Sequence, residues 1–350
     1  MNMQDSLKID WLLFFDMVFL VLASILVLNS FSPSLFPLYL VYILVGFFIF
    51  YIFARIDFDI FLLFSSHLYL VSIGLLIAPL IIGQVTRGAI RWIPVGTLSI
   101  QPSEVVRPFL LLFFAKYITA EELTPKRFIK VVIVLLIPLA LIFVAPSLGV
   151  AILTGVGFLG VLLASKIEKK YLLASVLLFV LLAPVLWFIL APYQKQRILS
   201  FANPGLDPYG TGYNSIQSMI SVGSGKLTGR GLGEGAQTQL AFLPERQSDF
   251  VFAATAEELG FMGAFLILAG LFLLLSRIIL VIENASSPTG RSFAAGVFLV
   301  LFAETFIHIG MNMGIVPITG VPLPLISAGG SALLGTMMAL SIAMRARRTF

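Results

Sequence analysis

The sequence predicts an all-α polytopic membrane protein, and three observations lead to that fold class. Of the 350 residues, 59% are apolar and 11% are charged, whereas soluble domains carry about 45–50% apolar and about 25% charged residues. The chain has 32 phenylalanines and no cysteine, which excludes disulfides and thiolate metal sites. The apolar residues also form stretches of about 20, the length of a membrane-spanning helix. We therefore expect a single integral membrane domain over residues 1–350.

Ten apolar stretches are candidate transmembrane helices. The first is too long for a signal-peptide core, so we expect it to be retained. The fourth, which begins at Gln101, is the least apolar. The sixth is short and rich in glycine, which favours close packing against a neighbouring helix. In chain order, the predicted spans are residues 11–29, 34–54, 58–82, 101–118, 128–145, 148–165, 171–191, 250–282, 292–316 and 327–345.

The basic residues predict the orientation, because cytoplasmic loops carry an excess of lysine and arginine. With the N-terminus inside, the short outer loops hold only Arg87 and Arg91. The inner loops and the C-terminal tail then hold Arg55, Lys126, Arg127, Lys130, Lys166, Lys169, Lys170, Arg291, Arg345, Arg347 and Arg348. We therefore expect both termini in the cytoplasm.

A long outer loop, residues 192–249, separates the seventh and eighth spans. It is polar and rich in Gly and Pro. Loops beyond about 12–15 residues without structure of their own are usually functional or disordered. This loop is not of low complexity, and residues 213–222 have the length of a short interfacial helix. We expect an ordered loop that folds back onto the outer surface.

Ionisable residues inside the predicted spans are candidates for function, because charges are costly in a bilayer. Glu104 and Arg107 are three residues apart on the fourth span, and Glu304 and His308 are four apart on the ninth. Each spacing favours an ion pair along one helix face. Lys116 lies three turns beyond Glu104 and requires a partner, which indicates a polar cavity among the helices.

The outer loops hold polar residues suited to a phosphorylated sugar. Arg91 is a candidate phosphate ligand, and Trp92 fits either a sugar platform or an interfacial anchor. Residues 101–104, Gln-Pro-Ser-Glu, fit a capped helix end equally well. Lys226 and Arg230 lie in a glycine-rich stretch whose backbone could approach phosphate. That stretch is not a Walker A motif, and a flexible turn is the simpler interpretation.

Asp249 stands where the long loop meets the eighth span. Its carboxylate could cap the helix N-terminus. It could also act as a general base at a site reached from the lipid. Partial burial would raise the pKa of this carboxyl, and a nearby arginine would lower it. Spacing alone leaves both interpretations open.

Four blocks of residues, in this order, are similar to the SEDS family (shape, elongation, division and sporulation). Each block is weak alone, whereas the ordered set is specific and extends over most of the chain. Ile9–Trp11 and the short tails are closer to the rod-shape branch than to the division branch, and a sporulation member is an alternative. The blocks are Arg91–Ile93 with Gly96 and Gln101–Glu104; Gly223–Gly233; Leu243–Glu245 with Ser248–Phe250 and Glu257–Gly260; and Gly320–Pro324 with Ser327–Ser331.

The resemblance implies a peptidoglycan glycosyltransferase of the bacterial cytoplasmic membrane, which polymerises lipid II into β-1,4 glycan on the outer face during cell elongation and shape maintenance. The implied partners are lipid II, nascent glycan on undecaprenyl diphosphate and a class B penicillin-binding protein. Other elongation-complex membrane proteins are further candidates, and no nucleic acid is expected. Asp249 matches the essential acidic residue of the family. Gln247 and Ser248 replace the usual His-Thr before it, and Ala328 stands where Tyr is common.

The implied chemistry is one inverting displacement, in which Asp249 takes the proton of the acceptor hydroxyl. The leaving diphosphate requires countercharge from Arg or Lys, from a divalent cation (Mg or Mn), or from both. No organic cofactor is expected. Arg91, Lys226, Arg230 and Arg246 are the candidate cations, and Glu104 and Lys116 are expected to line a cavity behind them. The complete substrate-binding set is Arg91, Trp92, Gln101, Ser103, Glu104, Lys116, Lys226, Arg230, Glu245, Arg246, Ser327 and Ser331.

Two other function classes fit parts of the sequence. A flippase or transporter for lipid-linked precursors would also have ten spans and buried charges. It would, however, require polar groups leading to both faces, whereas here the polar outer loops dominate. A non-catalytic scaffold of the wall-synthesis complex would tolerate the loss of Asp249. A glycosyltransferase similar to O-antigen ligases would share the chemistry, but the motif set argues against it.

Overall fold

The computed structural model describes residues 10–82, 84–86, 89–96, 98–203, 205, 210 and 212–347, so Ile9, Arg87 and Arg348 lie outside the described residues. It confirms a helical, multi-pass membrane fold. The helices of the described residues are α1 (Trp11–Phe31), α2 (Phe36–Phe53), α3 (Phe58–Leu63), α4 (Ser65–Ile82), α5 (Pro102–Val105), α6 (Arg107–Thr119), α7 (Pro125–Val144), α8 (Leu148–Ala164), α9 (Lys169–Ile189), α10 (Pro192–Ala202), α11 (Tyr213–Ser224), α12 (Ala236–Gln239), α13 (Val251–Glu283), α14 (Pro288–Asn312) and α15 (Gly330–Arg345).

Several helices can cross a membrane by length and composition. The third predicted span consists of α3 and α4, with a break at Phe64, and the fourth consists of α5 and α6, with a break at Val106. The helices α8 and α15 are apolar but shorter. The total of ten spans stays a prediction. Within the described part of the chain, the six long apolar helices are Trp11–Phe31, Pro33–Phe53, Ser65–Ile82, Pro125–Val144, Val251–Glu283 and Pro288–Asn312.

A small antiparallel sheet departs from the all-α prediction. It consists of β1 (Gln84–Thr86), β2 (Ala89–Val95) and β3 (Leu98–Ile100), in the order β1-β2-β3. Gly96, in the turn between β2 and β3, has a φ of 63°, a left-handed conformation that glycine adopts without steric cost. The sheet pairs backbone groups at one end of the helix bundle, between α4 and α5. It also places Arg91 and Trp92 on β2.

Glycines bring α8 and α14 into close contact, as the glycine-rich sixth span predicted. A Cβ added at Gly160 would lie 2.6 Å from the carbonyl oxygen of Ala295, and one added at Gly296 would lie 2.8 Å from Cγ2 of Val161. Small residues allow two helix backbones to approach in this way. The contact fixes α14, which carries Glu304 and Asn312, in the centre of the bundle.

The outer loop is ordered in the part that the structure describes. The predicted helix over 213–222 is confirmed as α11, and α10 and α12 are further helices of the loop. Three serines on one face of α11 are buried, namely Ser215, Ser218 and Ser221. The hydroxyl of Ser218 donates to the carbonyl oxygen of Asn312 at 2.9 Å. The loop is therefore held against the end of α14.

Helix α13 is broken at Gly260, where φ is 66° and ψ is −163°. A break of this kind leaves helix N–H and C=O groups without their usual partners. The glycine-rich stretch 225–231 supplies those partners through its own backbone. The four hydrogen bonds run from Arg230 N to Glu257 O (2.9 Å), from Gly231 N to Glu258 O (2.9 Å), from Phe261 N to Lys226 O (2.8 Å) and from Met262 N to Leu227 O (3.1 Å).

The break also divides α13 by environment. Residues 251–258 are all buried within the protein. Beyond Gly260, large apolar side chains face outward, beginning with Phe261 (61% exposed) and Met262 (62%). Outward-facing apolar side chains of this density are expected where a helix contacts lipid. The predicted span 250–282 therefore corresponds to α13, whose first turns are covered by protein and whose remainder carries the exposed apolar side chains.

Candidate active site

Asp249 lies in a tight turn that leads into α13. Glu245 has a φ of 51°, and its carbonyl oxygen accepts hydrogen bonds from the N–H groups of Ser248 and Asp249, both at 3.0 Å. The N-cap residue of α13 is Phe250, and no side chain caps that helix. The interpretation of Asp249 as a helix cap is therefore wrong. Its carboxylate remains available for another role.

Asn312, the last residue of α14, holds this turn in place. Its Nδ2 donates to the carbonyl oxygen of Asp249 at 3.0 Å, and its Oδ1 accepts from the N–H of Ala253 at 2.9 Å. The side chain of Asn312 is fully buried. It therefore connects the end of α14 to both sides of the turn, and it fixes the backbone that carries the candidate base. Asn312 is not among the predicted site residues.

The charges around Asp249 include one residue that the sequence analysis did not select, Arg197 on α10. A Cβ added at Gly320 would lie 3.5 Å from Oδ2 of Asp249 and 3.8 Å from Nη1 of Arg197. The Asp249 carboxylate and the Arg197 guanidinium therefore both lie next to Gly320. Gly320 itself is exposed and Asp249 is partly accessible, so water can reach this point.

Burial raises the pKa of the Asp249 carboxyl above its usual value. Arg197 lowers that pKa, Glu245 raises it, and a hydrogen bond from Ser248 and the charge of Arg91 lower it further. Burial prevails over the two arginines because removal of water penalises the charged form. A carboxylate with a raised pKa beside cationic groups is suited to accept a proton near an anionic ligand.

Ser327 supports the turn from the opposite side. Its hydroxyl donates to the carbonyl oxygen of Ser248 at 2.8 Å and accepts from the N–H of Leu323 at 2.8 Å. Ala328 N donates to the carbonyl oxygen of Gln247 at 2.8 Å. The Ser327 side chain is buried and both its hydrogen-bonding functions are used. The structure therefore gives Ser327 a positioning role, and its predicted contact with substrate stays a prediction.

Gln101, Ser103 and Ser331 form an internal network. Ser331 Oγ accepts from the N–H of Gln101 at 2.8 Å, and Gln101 Nε2 donates to Oγ of Ser103 at 3.2 Å and to Oγ of Ser147 at 3.3 Å. All four side chains are buried. These contacts hold the junction of β3 and α5 against α15. Their predicted role in substrate binding stays a prediction beside this structural one.

Glu104 and Arg107 form the predicted ion pair, and Glu304 joins it from α14. The predicted pair between Glu304 and His308 is wrong. His308 instead places Nδ1 2.8 Å from the carbonyl oxygen of Val321. Arg107 bonds two carboxylates at once because its planar guanidinium presents several donors in a fixed arrangement. The buried cluster of Glu104, Arg107 and Glu304 connects α5, α6 and α14.

Lys116 and Arg246 do not point to Asp249. Lys116 lies near the end of α6 that is remote from the sheet, and its Nζ donates to the carbonyl oxygen of Leu62 at 2.7 Å. Lys116 does line a polar cavity, as predicted, but this cavity lies at the far end of α6 and not behind Asp249. Arg246 donates from Nε and Nη2 to the carbonyl oxygen of Phe31 at 3.3 and 3.0 Å. This contact stabilises the carbonyl end of α1, where a cation is favoured.

The glycine-rich stretch has a structural role that the sequence analysis missed. The N–H groups of Arg230 and Gly231 are bonded to carbonyl groups of α13, so they cannot bind phosphate. The flexible-turn interpretation is also wrong, since the stretch is fixed by backbone hydrogen bonds. The side chains of Lys226 and Arg230 are exposed, and Trp92 is half-buried on β2.

The structure thus brings together Asp249, Glu245 and Arg91 from the predicted set, and it adds Arg197. A signal for Arg197 was present in the sequence, namely a second basic residue two positions after Lys195 in the outer loop. Within the described residues, no group of three or more His, Cys, Asp or Glu side chains could hold a metal. Mg²⁺, however, commonly takes only one or two carboxylates together with substrate phosphates.

Comparison with known proteins agrees with these observations. The sequence model FTSW_RODA_SPOVE, described as "Cell cycle protein", matches residues 5–349. The peptidoglycan glycosyltransferase MrdB of Escherichia coli (strain K12) is 40% identical over 283 residues, which are 80% of this chain and 76% of that protein. The probable peptidoglycan glycosyltransferase FtsW of Wigglesworthia glossinidia brevipalpis is 35% identical over 358 residues, 96% of this chain and 92% of that one.

Solved structures are similar over nearly the whole chain. One comes from work on the structural coordination of polymerization and crosslinking by a peptidoglycan synthase complex. It is 27% identical, with a TM-score of 0.83 and coverage of 96% of both chains. A mutant of the rod shape determining protein RodA from Thermus thermophilus is 25% identical, with a TM-score of 0.73 and the same coverage.

Proposed function

The chain belongs to the FtsW, RodA and SpoVE family and is a peptidoglycan glycosyltransferase, and we propose that it polymerises lipid II with Asp249 as the general base. One observation carries the assignment of the base. The Asp249 carboxylate, with a pKa raised by burial, borders the water-accessible point at Gly320 together with Arg197. A group of this kind can remove a proton from a sugar hydroxyl as the hydroxyl attacks.

The reaction is a single displacement at the anomeric carbon of the donor. The acceptor hydroxyl forms the new glycosidic bond, its proton passes to Asp249, and the bond to the diphosphate breaks with its electron pair on the leaving oxygen. An α-linked donor then gives a β-linked product without a covalent enzyme intermediate. The turn over residues 245–249 and Asn312 position the carboxylate for this transfer.

The leaving diphosphate carries negative charge that the site must stabilise. We assign this role to Arg197 and Arg91, the two cations whose charges act on Asp249. Mg²⁺ or Mn²⁺ is a further candidate, held mainly by the diphosphate, with Glu245 as the neighbouring carboxylate. Such a cation would neutralise the leaving group. The described residues fit this arrangement, since only one or two protein carboxylates are required.

The proposed partner is a class B penicillin-binding protein that crosslinks the new strand. The synthase complex of the similar structure, in which polymerization and crosslinking are coordinated, supports this proposal. We further propose that the protein lies in the bacterial cytoplasmic membrane with both termini inside. The distribution of basic residues supports this orientation, which would place Asp249 on the outer face.

The test is lipid II polymerisation by the purified chain together with its penicillin-binding protein, whose transpeptidase is inactivated. The Asp249→Asn variant keeps the shape of the side chain and removes the base. We expect its rate of glycan-strand formation to fall by about 10²–10⁴-fold. Asp59→Asn is the matched control, because Asp59 is exposed on α3 and remote from the site. That variant is expected to retain the wild-type rate.

Three results are informative. Loss of strands in Asp249→Asn alone, with complex formation intact, supports the base. Equal rates in the wild type and Asp249→Asn would exclude Asp249 as the base. If the wild type forms no strands with either Mg²⁺ or Mn²⁺, the proposed polymerisation of lipid II is contradicted. A lipid II translocation assay would then test the transporter alternative.

A further inference from the structure

A cavity of about 500 Å³ lies at the end of the bundle opposite to Asp249. It opens between the start of α4, the end of α6 and the start of α7. Its size falls within the range of about 300–1,000 Å³ that is usual for small-molecule sites. The proposed glycosyltransferase reaction does not use it. By the predicted orientation, it lies at the cytoplasmic surface of the membrane.

Most of the charged residues that line this cavity are basic. Lys116, Lys126, Arg127 and Lys130 line it together with only two carboxylates, those of Glu121 and Glu122. Arg127 and Glu121 neutralise each other in an ion pair of 2.7 Å. The remaining three lysines therefore face a single carboxylate, and a net charge of about +2 is left for a ligand.

Two of the lysines are available to a ligand. The amines of Lys126 and Lys130 are exposed and form no hydrogen bond or ion pair with any residue that the structure describes. Lys116, at the inner end of the cavity, is bonded to the carbonyl oxygen of Leu62 at 2.7 Å. Lysine presents a compact charge with several donors, which suits a phosphate group.

The surface beside these lysines distinguishes a lipid from a soluble phosphate compound. Along one face of α7, Lys126 and Lys130 are followed at helical spacing by Ile133 (55% exposed) and Ile137 (45%). At 1.5 Å per residue, Ile137 lies about 10 Å further into the membrane than Lys130. Positive charge at the interface followed by exposed apolar surface matches the order of headgroup and acyl chain in a phospholipid.

We propose that this cavity is a binding site for an anionic phospholipid of the inner leaflet. The phosphate would be bound by Lys126 and Lys130, with Lys116 behind them, and one acyl chain would lie along Ile133 and Ile137. Basic pockets between transmembrane helices on the cytoplasmic side are suited to such headgroups. The site would tie this end of the bundle to the anionic lipids of the membrane.

The experiment is a titration of the purified full-length chain with phosphatidylglycerol, followed by native mass spectrometry. Phosphatidylcholine with the same acyl chains tests for charge, and glycerophosphoglycerol tests for a soluble headgroup. The variant is Lys126→Ala combined with Lys130→Ala. Each lysine near a membrane surface contributes about fivefold to the binding of anionic lipid, so we expect the double variant to bind phosphatidylglycerol about 25-fold more weakly.

The matched control is Lys166→Ala combined with Lys169→Ala. These lysines are exposed at the same predicted face and remove the same charge, but they do not line the cavity. We expect this control to bind phosphatidylglycerol as the wild type does. If the double variant at 126 and 130 cannot be purified, the single variants Lys126→Gln and Lys130→Gln replace it. Each is expected to bind phosphatidylglycerol about fivefold more weakly than the wild type.

Three outcomes would overturn the proposal. The first is equal binding of phosphatidylglycerol and phosphatidylcholine by the wild type. The second is an equal loss in the cavity variant and the control, which would indicate only the general charge of that face. The third is binding of glycerophosphoglycerol as tight as that of phosphatidylglycerol, which would indicate a soluble phosphate ligand in place of a lipid.

Discussion

Replacement of Asn312 by alanine should uncouple the candidate base from α14. The substitution leaves two backbone groups without partners, the carbonyl oxygen of Asp249 and the N–H of Ala253. A buried polar group that loses its partner costs about 1–3 kcal/mol. Ala253 is fully buried, whereas Asp249 is partly accessible and water can replace its partner. We therefore expect the free energy of unfolding to fall by about 1–3 kcal/mol, the cost of the one group that stays unpaired.

The same substitution should change the pH dependence of the reaction. Burial is the main cause of the raised pKa of Asp249. A loosened turn admits water, so the pKa of this carboxyl falls toward its usual value and the basic form persists to lower pH. We expect the acidic limb of the pH–rate profile to move to lower pH. The rate at neutral pH should fall by about 10²-fold, because displacement of a reacting group by about 1 Å has an effect of that size.

Two measurements check this prediction, thermal unfolding in detergent and the rate of strand formation as a function of pH. Asn284→Ala is the control, because within the described residues the Asn284 side chain bonds only the carbonyl oxygen of Leu280, at the far end of α13. We expect this control to change stability by less than about 1 kcal/mol. Wild-type stability together with a wild-type pH profile in Asn312→Ala would refute the assigned role. Lower stability with an unchanged pH–rate profile would show that Asn312 has only a structural role.

Two further predictions test the cations and the helix break. Arg197→Gln should lower kcat/KM by about 10²–10³-fold. It should also move the acidic limb of the pH–rate profile to higher pH, because Arg197 lowers the pKa of Asp249. Lys195→Gln on the same helix is the control, and an acidic limb that does not move in Arg197→Gln would contradict the role of Arg197. Gly260→Ala should destabilise the protein by about 3 kcal/mol or more, since the conformation is almost restricted to glycine and the added Cβ would lie 2.6 Å from the carbonyl oxygen of Leu227. Gly74→Ala in α4, where a Cβ meets nothing within 4 Å, should be neutral or stabilising in the same unfolding assay, and equal effects of the two substitutions would refute the reasoning.

The sequence predicted the membrane helices because lipid imposes a simple requirement. Every backbone group in the bilayer has to be paired within the segment, and the side chains have to be apolar. That requirement is local and can be read from composition over about 20 residues. It also predicted the close contact through Gly160, since small residues alone allow helix backbones to approach. The position of Asp249 at the start of α13 was also predicted, because the long apolar stretch begins directly after it.

The partners of the buried charged and polar side chains could not be predicted from local spacing. Glu304 had a histidine one turn away, yet it pairs with Arg107, which is 197 positions distant in the sequence. Arg107 is the better partner in a buried site because it stays charged and offers several donors. The sheet was missed because β1 and β3 have only three residues each, and because β2 contains a proline and a charge and lacks the alternation of a half-buried strand. Asn312 was missed because its partners are backbone atoms, which no residue pattern reveals.

The break at Gly260 explains how the first turns of α13 accommodate the buried carboxylates of Glu257 and Glu258. Two adjacent carboxylates inside a bilayer would be costly, but both precede the break and are bonded to the outer loop. Glu257 accepts from the N–H groups of Gln237 and Thr238 at 2.9 and 3.0 Å, and Glu258 accepts from Nε2 of Gln239 at 2.8 Å.

These contacts also fix the distance between Asp249 and the exposed apolar part of α13. Residues 251–259 span up to about 14 Å at 1.5 Å per residue, and on α13 the exposed large apolar side chains begin only at Phe261. In the proposed reaction, this separation would let the sugars of a lipid-linked substrate reach Asp249 while the polyprenyl chain lies beside the exposed apolar part of α13. A base buried among the spanning helices would require the sugars to leave water. The glycine at position 260 thus makes a long apolar helix compatible with chemistry on a polar headgroup.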